Sequence, residues 1–569
     1  MSPRYDTDGQ VRRELVRQAL ESHAPTIERL LEIGNSPGVS ISVKCNGENI
    51  WEKGFGYADL RSAVRATGAT VYPIASVTKT MAAAACAMLV AEDEPIKTYL
   101  PDLQLPRHKE IEACATIVDI LSHRTGLQEY STLFEGPDGL PLFVDDKSLH
   151  LALDAMPADS GSFRGTWSYC PPLYALVTLV IEKVSAMKLS EYLNVHIFLP
   201  LGMSSTSVVG SGNDVESYHR AKPYARMQDG TWVERRSSSS GYGFPFDSSM
   251  GVQSTVADMM KWASFIIASY RAFSSSAENN PLSGGLKLLP ETQTVFRTWC
   301  PLISNEGGNP AYCLGWFLHE GHYIFDDMFD SDGQTGSLEW PCTLPKDDLG
   351  QDFRTILYHS GIGHGFTSSF HVYPDQGDAV AVLGNSSHSG DAVDCISRVI
   401  TSIISGLHLS IPELESNLKF YRNLEVGRWR KLNQDLAHQQ SQRHRKHTLV
   451  ASQVVGTFAN DQLGWKVCIQ SASQDRSEYE SFMHSRGLIS AEILFGNETD
   501  VTLPLWNFCD DTLCFLPNEY DYQRWGMCYM ADWTQFLIHA NLQDDASAIA
   551  GFWWQYDGSQ DGIWFRRIA

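Results

Sequence analysis

The segment that decides the interpretation of this chain reads Ile74-Ala-Ser-Val-Thr-Lys-Thr80. An extended stretch that contains proline, Val71-Tyr-Pro-Ile-Ala75, precedes it, and an alanine-rich run from Met81 to Ala91 follows. This order predicts a turn that leads into a helix, with Ser76 at the helix N-terminus and Lys79 one turn further on the same face. A serine and an amine placed in this way are a candidate nucleophile and the group that activates it.

The spacing of these two residues is weak evidence by itself. The pattern Ser-x-x-Lys occurs twice more, in Ser185-Ala-Met-Lys188 and Ser416-Asn-Leu-Lys419, and neither has the same setting. At a helix N-terminus the backbone N–H groups also stabilise a developing oxyanion, which favours catalysis at Ser76. A helix-capping serine and an exposed first-turn lysine are the alternative that the residues alone leave open.

Length and composition restrict the function. A chain of 569 residues predicts two or more domains, and the net charge of −23 gives no general attraction for nucleic acid or anionic membrane. No apolar run reaches the roughly 18 residues that span a bilayer, and the N-terminus has no signal-peptide pattern. Twelve cysteines without a Cys-x-x-Cys pair indicate reduced thiols and no metal site. We therefore expect a cytoplasmic protein without nucleic-acid or membrane partners.

Sheet-like segments lie at both ends of the first 410 residues. Val39 to Val43 alternates, and the Asn46-Gly47 turn leads into a second extended run. A second predicted hairpin joins Phe366–Tyr373 to Ala379–Leu383, and helical patterns fill the middle. This arrangement predicts an α+β fold, in which an antiparallel sheet is flanked by helices and carries a helical subdomain. One continuous helical stretch is predicted from Val11 to Ile33.

Beyond residue 410 the composition and the pattern of the sequence change twice. Residues 411–447 are rich in Arg, Gln, Asn, Lys and His, which predicts a partly helical linker between a catalytic domain at 1–410 and a last domain at 448–569. That domain contains short strand-like runs separated by turn residues, a spacing typical of a small antiparallel β-barrel.

The nucleophile segment resembles that of the serine β-lactamase and penicillin-binding-protein superfamily. It is most similar to the class C β-lactamase-like branch, which holds esterases, D-aminopeptidases and fungal transesterases. Five further segments match that branch in order, and the resemblance extends roughly from residue 10 to residue 408. They are Pro37-Gly38-Val39, Gly54–Asp59, Leu121-Ser-His-Arg-Thr-Gly-Leu127, Phe198–Met203 and Gly251–Asp258.

The resemblance assigns a second catalytic element to Trp167-Ser-Tyr-Cys-Pro-Pro-Leu-Tyr174. Tyr169 takes the place of the tyrosine that passes a proton between nucleophile, lysine and leaving group. Tyr174 is the rival, although the family has a structural aromatic residue there. Pro171 stands where the family usually has Asn, and its lack of polar side-chain atoms argues more against β-lactam and peptide recognition than against acyl transfer.

The third element is Tyr358-His359-Ser360-Gly361-Ile362, which resembles the His-Ser-Gly or Lys-Thr-Gly strand beside the family's active site. The resemblance makes His359 a polar wall residue and Ser360 part of the substrate-binding strand. Gly361 lets the substrate approach closely, and the N–H of Ile362 joins that of Ser76 as an oxyanion hole. His364 is expected to be a loop histidine.

The C-terminal segments Gly456-Thr-Phe458 and Gly562–Arg567 resemble the lipocalin-like domain of several superfamily members. Taken together, the resemblances imply serine-dependent acyl transfer through a covalent acyl-enzyme, without metal or organic cofactor. The expected substrate is a small-molecule ester, thioester or amide, including a carrier-bound thioester, in secondary metabolism. Hydrolysis and transfer stay open, as do a catalytically impaired binding scaffold and a D-amino-acid peptidase. The oligomeric state is not predicted.

Overall fold

The structure of the chain is a computed structural model. It describes residues 7–128, 134, 136–137, 142, 145–211, 219–236, 246–275, 300–301, 311–321, 354–386, 391–443, 448–472, 488–496, 501–527, 532–556 and 562–569, apart from positions 92, 160, 364, 407 and 545–546.

Fifteen helices lie in these ranges. They are α1 (Thr7–Ser22), α2 (Ala24–Ile33), α3 (Thr78–Ala87), α4 (Ile96–Tyr99), α5 (Lys109–Cys114), α6 (Ile117–Leu121), α7 (Asp146–Ala155), α8 (Tyr174–Ser185), α9 (Leu189–Leu193), α10 (Asp247–Met250), α11 (Val256–Ser275), α12 (Ala392–Ser405), α13 (Ile411–Ser441), α14 (Ala451–Val454) and α15 (Glu519–Trp525). Short 3-10 turns cover Ala75–Val77, Pro171–Leu173 and Trp533–Phe536, and a π turn covers Asn194–Phe198.

The strands of the same ranges divide between two domains. The first domain has β1 (Gly38–Cys45), β2 (Glu48–Asp59), β3 (Val64–Arg65), β4 (Tyr72–Pro73), β5 (Ser207–Val208), β6 (Tyr224–Arg226), β7 (Trp232–Glu234), β8 (Val252–Ser254), β9 (Cys300–Pro301), β10 (Ala311–Tyr312), β11 (Phe317–Gly321), β12 (Arg354–Gly363), β13 (Phe366–Tyr373) and β14 (Asp378–Gly384). The last domain has β15 (Gly456–Asn460), β16 (Trp465–Ser471), β17 (Leu488–Phe495), β18 (Leu503–Cys509), β19 (Thr512–Cys514), β20 (Leu537–Leu542), β21 (Ile549–Trp554) and β22 (Ile563–Arg567).

A nine-stranded antiparallel sheet is the centre of the first domain, in the order β3-β2-β1-β14-β13-β12-β11-β10-β9. The N-terminal hairpin therefore lies beside the C-terminal hairpin, with Val39 paired to Gly384 and Lys44 to Ala379. Asn46 and Gly47 both have positive φ, as a tight hairpin turn requires. The predicted α+β fold is confirmed.

Helices cover both faces of this sheet. On one face, α1, α2 and α12 bury a core of aliphatic side chains against β1, β2 and β14. On the other, α11 and the helical subdomain that contains α3 and α8 form a second core. The helical stretch predicted from Val11 to Ile33 is two helices that meet at His23, because Pro25 lacks the backbone N–H that a continuous helix needs.

The last domain is a closed barrel of eight antiparallel strands, β15 to β22 in chain order. Each strand pairs with the next, and β22 returns to β15 with Arg567 opposite Phe458. Aromatic side chains that include Trp465, Phe552 and Phe565 are buried in its core. The predicted small antiparallel barrel is confirmed.

Helix α13 occupies most of the segment predicted to be a linker. Near its start, the Glu415 carboxylate lies 2.5 Å from Nε of Arg29, which belongs to the first domain. Near its end, the Gln440 side-chain amide donates to Phe508 O of the barrel at 3.0 Å. In addition, the Glu519 carboxylate of α15 accepts from the N–H of Gln228, between β6 and β7, at 3.0 Å. None of the helices in the described ranges combines the length and apolar character that a bilayer crossing requires.

The Arg12–Asp378 pair ties α1 to the sheet and gives a stability prediction. Asp378 is buried at the β13–β14 hairpin, where it accepts from Arg12 Nη2 at 2.5 Å and from Asn46 N at 2.7 Å. Arg12→Ala leaves that carboxylate without its cation, and because Arg12 itself is partly exposed we expect the free energy of unfolding of the first domain to fall by about 2 kcal/mol, the range of a charge-assisted hydrogen bond. Calorimetry should detect this as a lower first transition temperature.

Arg17→Ala is the matched control for this substitution. Arg17 pairs with Glu14 on the exposed face of the same helix. Exposed ion pairs contribute about 0.2–1 kcal/mol at most, so its transition should stay close to that of the unsubstituted protein. Equal losses for Arg12→Ala and Arg17→Ala would contradict the prediction.

Candidate active site

Ser76 and Lys79 face each other in the interior of the first domain. Lys79 Nζ lies 3.0 Å from Ser76 Oγ and donates to Ser249 O at 3.1 Å. Ser76 is 7% exposed and Lys79 is 0% exposed, so Lys79 is not the exposed first-turn lysine of the alternative interpretation. Ser76 lies in the 3-10 turn that precedes α3, one residue before the helix-capping position, which Val77 occupies. Sequence patterns gave no sign of the Ser249 carbonyl.

The turn that carries Ser76 is strained and is held by the sheet. Ala75 has φ +43°, a left-handed conformation that residues other than glycine rarely adopt. Ile74 is fixed on both sides, because its N–H donates to Val252 O at 2.9 Å and its carbonyl accepts from Ser368 Oγ at 2.8 Å. The backbone of Ser76 is thus oriented by contacts to β8 and β13.

Strand β12 passes directly beside this turn at Gly361. A Cβ at Gly361 would lie 2.4 Å from Ile74 O and 2.9 Å from Ser76 N, so only glycine fits. Ser360 and Ile362 flank it on the same strand and are half-buried. The structure therefore brings the predicted strand residues and the predicted nucleophile together.

His359, next along β12, is buried and neutral. Burial is the main cause that lowers its pKa to about 3, and the nearby Lys79 charge adds to it. Its Nδ1 lies 2.6 Å from Ser360 O and its Nε2 lies 3.3 Å from the hydroxyl of Tyr312. A neutral ring that donates from Nδ1 accepts from Tyr312 at Nε2. Tyr312 lies on the two-residue strand β10, and sequence patterns did not identify it.

Tyr169 and Tyr174 both lie close to the lysine. Lys79 Nζ is 5.2 Å from the ring centroid of each. Tyr174 is fully buried, and its hydroxyl donates to Leu121 O at 2.9 Å. Tyr169 is partly exposed, and its ring lies 6.2 Å from that of His359.

A second buried histidine, His123, packs against the tyrosines around Lys79. His123 has its ring centroid 4.5 Å from that of Tyr169, 5.0 Å from that of Tyr312 and 5.3 Å from that of Tyr174. Burial lowers its pKa well below the ordinary value, and the charge of Lys79 adds to the shift. His123 lies inside the matched segment Leu121–Leu127, and the sequence patterns predict no role for it.

Comparisons with known proteins agree with this geometry. A profile of the beta-lactamase family matches residues 23–400. The chain belongs to the beta-lactamase family. Relatives include the unguisins hydrolase ungD′ of Aspergillus campestris, 25% identical over 65% of this chain and 62% of its own length, and the unguisins hydrolase ungD of Aspergillus violaceofuscus, 29% identical over 53% and 56%.

The chain therefore spans only about three fifths of the length of those two hydrolases. The mitochondrial serine beta-lactamase-like protein LACTB of Mus musculus is 22% identical over 64% of this chain and 74% of its own. Among solved structures, the octameric penicillin-binding protein homologue from Pyrococcus abyssi has a TM-score of 0.53 at 16% identity and covers 96% of this chain and 100% of its own. That likeness concerns the fold.

This member of the beta-lactamase family departs from the family pattern at Pro171. Pro171 opens the 3-10 turn Pro171–Leu173, which runs directly into α8. Proline suits the first position of such a turn because its φ is already set. Its ring offers no hydrogen bond toward the lysine, where the usual asparagine has an amide.

Two further predictions for this region concern His364 and metal binding. His364, expected to be a loop residue, lies outside the described residues. Within the part of the chain that the structure describes, no group of three His, Cys, Asp or Glu side chains could hold a metal ion. The arrangement as a whole places an amine, a hydroxyl and a phenol ring around one strand edge, which is the layout of proton transfer coupled to acyl transfer.

The contact at Gly361 gives a steric prediction. Gly361→Ala must displace the backbone of Ile74 and Ser76, so we expect labelling of Ser76 by a fluorophosphonate probe to slow at least about 100-fold, as removal of an oxyanion donor does. The rate is measured by intact-mass spectrometry under pseudo-first-order conditions. Gly427→Ala is the control, since a Cβ at Gly427 on α13 meets nothing within 4 Å.

A third buried histidine, His371 on β13, gives a prediction about the number of protons that the protein takes up when it unfolds. Burial, assisted by Arg398, lowers the pKa of His371 to about 3. At pH 5 the folded ring is therefore neutral, whereas the unfolded one, with its ordinary pKa of about 6.5, is protonated. Its contribution to stability is complete above about pH 6.5 and is lost as the pH falls toward 3. His371→Gln should lower proton uptake on unfolding at pH 5 by about one.

Calorimetric unfolding in buffers of different ionisation enthalpy measures this uptake. Substitution of His438, an exposed histidine of α13, by Gln controls for loss of an imidazole as such. Unchanged uptake in the His371→Gln protein would show that this ring titrates normally in the folded state.

Proposed function

We propose that this chain is a serine-dependent acyl-transfer enzyme that forms a covalent acyl-enzyme on Ser76. The observation that carries the proposal is the 3.0 Å contact between Lys79 Nζ and Ser76 Oγ, in a strained turn that packs against Gly361. Membership in the beta-lactamase family supports it.

The proposed reaction has two halves. Lys79, in its neutral form, takes the proton of Ser76 Oγ while the oxygen attacks an acyl carbonyl, and the N–H groups of Ser76 and Ile362 stabilise the oxyanion. Tyr169 carries a proton from the lysine side to the leaving group, which departs as an alcohol, thiol or amine. Water or another nucleophile then attacks the acyl-enzyme and releases the acyl group and Ser76 Oγ–H.

The assignment of the relay to Tyr169 is supported by its contrast with Tyr174. Both rings lie 5.2 Å from Lys79 Nζ, but the Tyr174 hydroxyl is bound to Leu121 O in a fully buried position. Tyr169 is partly exposed and can meet a leaving group. His359 stays neutral at physiological pH, so we assign it a hydrogen-bonding and packing role in the wall.

The substrate class is proposed more broadly. A small-molecule ester, thioester or amide fits the machinery, and the partly exposed rings of Trp167 and Tyr169 favour an apolar acyl group. Two relatives are named as hydrolases, which supports water as the acceptor. A carrier-bound thioester, a place in secondary metabolism and a cytoplasmic location stay predictions.

A non-catalytic binding scaffold is the second candidate, and Pro171 is the observation that favours it. Without the amide of the usual asparagine, the site lacks one hydrogen-bond partner for a substrate carbonyl. The same loss argues against a D-amino-acid peptidase. A direct test of Ser76 reactivity separates the enzyme from the scaffold.

Three substitutions test the machinery. We expect Ser76→Ala to abolish fluorophosphonate labelling and aryl-ester turnover, Lys79→Met to lower both at least about 1,000-fold, and Tyr169→Phe to lower ester turnover roughly 100-fold, in line with loss of a nucleophile, its activating base and a proton relay. Intact-mass spectrometry reports the acyl-enzyme, and a chromogenic ester reports turnover.

The chain supplies its own control in the second Ser-x-x-Lys. Ser185 Oγ donates to Ile181 O, and Lys188 is an exposed partner of Glu182, so this pair has the spacing without the setting. Ser185→Ala and Lys188→Met should leave labelling and turnover unchanged. Labelling that persists in Ser76→Ala, or wild-type protein that does not react, would favour the scaffold.

A further inference from the structure

His123 lies at an unusual position behind the proposed relay tyrosine. It follows α6 in a turn and has φ +56°, a left-handed conformation that residues other than glycine adopt infrequently and that Asn, Asp and His adopt more often than the rest. Its side chain is fully buried. The surrounding chain thus holds this residue in a defined backbone conformation and a buried position.

Two hydrogen bonds from the neighbours of Tyr169 end on His123. The N–H of Ser168, the residue before Tyr169, donates to the carbonyl oxygen of His123 at 3.0 Å. The N–H of Cys170, the residue after Tyr169, donates to His123 Nδ1 at 3.0 Å. His123 therefore holds Tyr169 from both sides along the chain.

The imidazole also contacts the phenol ring itself. The two ring centroids are 4.5 Å apart with an interplanar angle of 47°. Lys79 Nζ lies 5.2 Å from the centroid of the same Tyr169 ring. The ring of Tyr169 is consequently fixed by contacts of the kind that a catalytic side chain needs.

The ring of His123 has one defined tautomer. Because Nδ1 accepts the Cys170 N–H, the proton of the neutral imidazole is on Nε2. That Nε2 is buried and has no hydrogen-bond partner within the described residues. A buried N–H without a partner costs about 1–3 kcal/mol, and replacement by a purely apolar ring would avoid it. The acceptor at Nδ1 is the property that an apolar ring would lack.

We propose that His123 is a positioning residue, which fixes the orientation of Tyr169 for proton transfer through the hydrogen bond from Cys170 N–H to its Nδ1. This inference rests on the proposed function of Tyr169 as the relay. It adds a residue to the machinery that touches neither the substrate nor Ser76. The ring packing contributes to folding, whereas the Nδ1 acceptor contributes to catalysis.

Two substitutions separate these contributions. His123→Asn places an amide oxygen close to the position of Nδ1, retains the acceptor and tolerates positive φ. His123→Phe keeps an aromatic ring and loses the acceptor. If the His123→Phe protein does not fold, His123→Leu is used in its place, because it also lacks the acceptor. Thermal melting confirms folding of each protein before kinetics.

We expect His123→Phe to lower kcat for a chromogenic aryl ester roughly 10- to 100-fold, as a misplaced catalytic group does, with KM within about twofold. His123→Asn should recover most of the rate. In a Tyr169→Phe background, His123→Phe should cause no further loss, because both substitutions remove the same function. Equal losses in the Asn and Phe proteins, or losses that multiply in the double variant, would refute the proposal.

A readout without catalysis keeps the two proposals distinguishable. With 3-fluorotyrosine at position 169, the ¹⁹F spectrum should show one resonance in the parent protein and in His123→Asn, and more than one in His123→Phe. If Tyr169→Phe leaves turnover intact, the relay role fails, and the spectra alone then decide whether His123 orients this ring. Identical spectra in all three proteins would overturn the positioning role.

Discussion

The close approach of strand β12 to the turn at Ile74–Ser76 is the contact on which the rest of the site depends. At Gly361 the two backbones lie closer than any side chain permits, and Ser368 on the neighbouring strand binds the same turn through its hydroxyl. The position of Ser76 is therefore determined by the sheet as well as by the helix that follows it. Because β12 and β13 belong to the C-terminal part of the first domain, the turn that carries Ser76 is held by residues almost 300 positions further along the chain.

Local signals in the sequence predicted much of this arrangement. The Asn46-Gly47 turn defined a hairpin, and the regular spacing of short strands defined the barrel, because both patterns report geometry over a few residues. The turn-to-helix setting separated Ser76 from the two other serines of the same spacing. The family resemblance then gave the order in which the remaining elements follow.

Other features depend on contacts between distant segments, and no local pattern reports them. Tyr312 lies on a strand of two residues, far from any motif, and reaches the site because β10 pairs with β11 and continues the sheet beyond it. The helical period continued through His23, so the periodicity did not indicate the break that Pro25 causes. Ser249 contributes a backbone carbonyl, which the identity of its side chain does not encode.

Pro171 lies in a segment that several hydrogen bonds hold in place. The segment before α8 is held by Tyr174, whose hydroxyl binds Leu121 O, and by the two hydrogen bonds to His123. A proline at the start of the 3-10 turn stiffens the same segment. The segment thus lacks the amide of the family's usual asparagine and is more rigid at this position.

Helix α13 has a consequence for how the two domains can change in evolution. A helix of 31 residues is about 46 Å long, and its two ends are bound to different domains. One residue inserted into it would rotate everything beyond by about 100°, whereas seven residues would nearly restore the original phase. In a flexible linker an insertion changes only the length, whereas in this helix it also changes the relative orientation of the two domains. Insertions and deletions within α13 should therefore be tolerated only in steps that match the helical repeat.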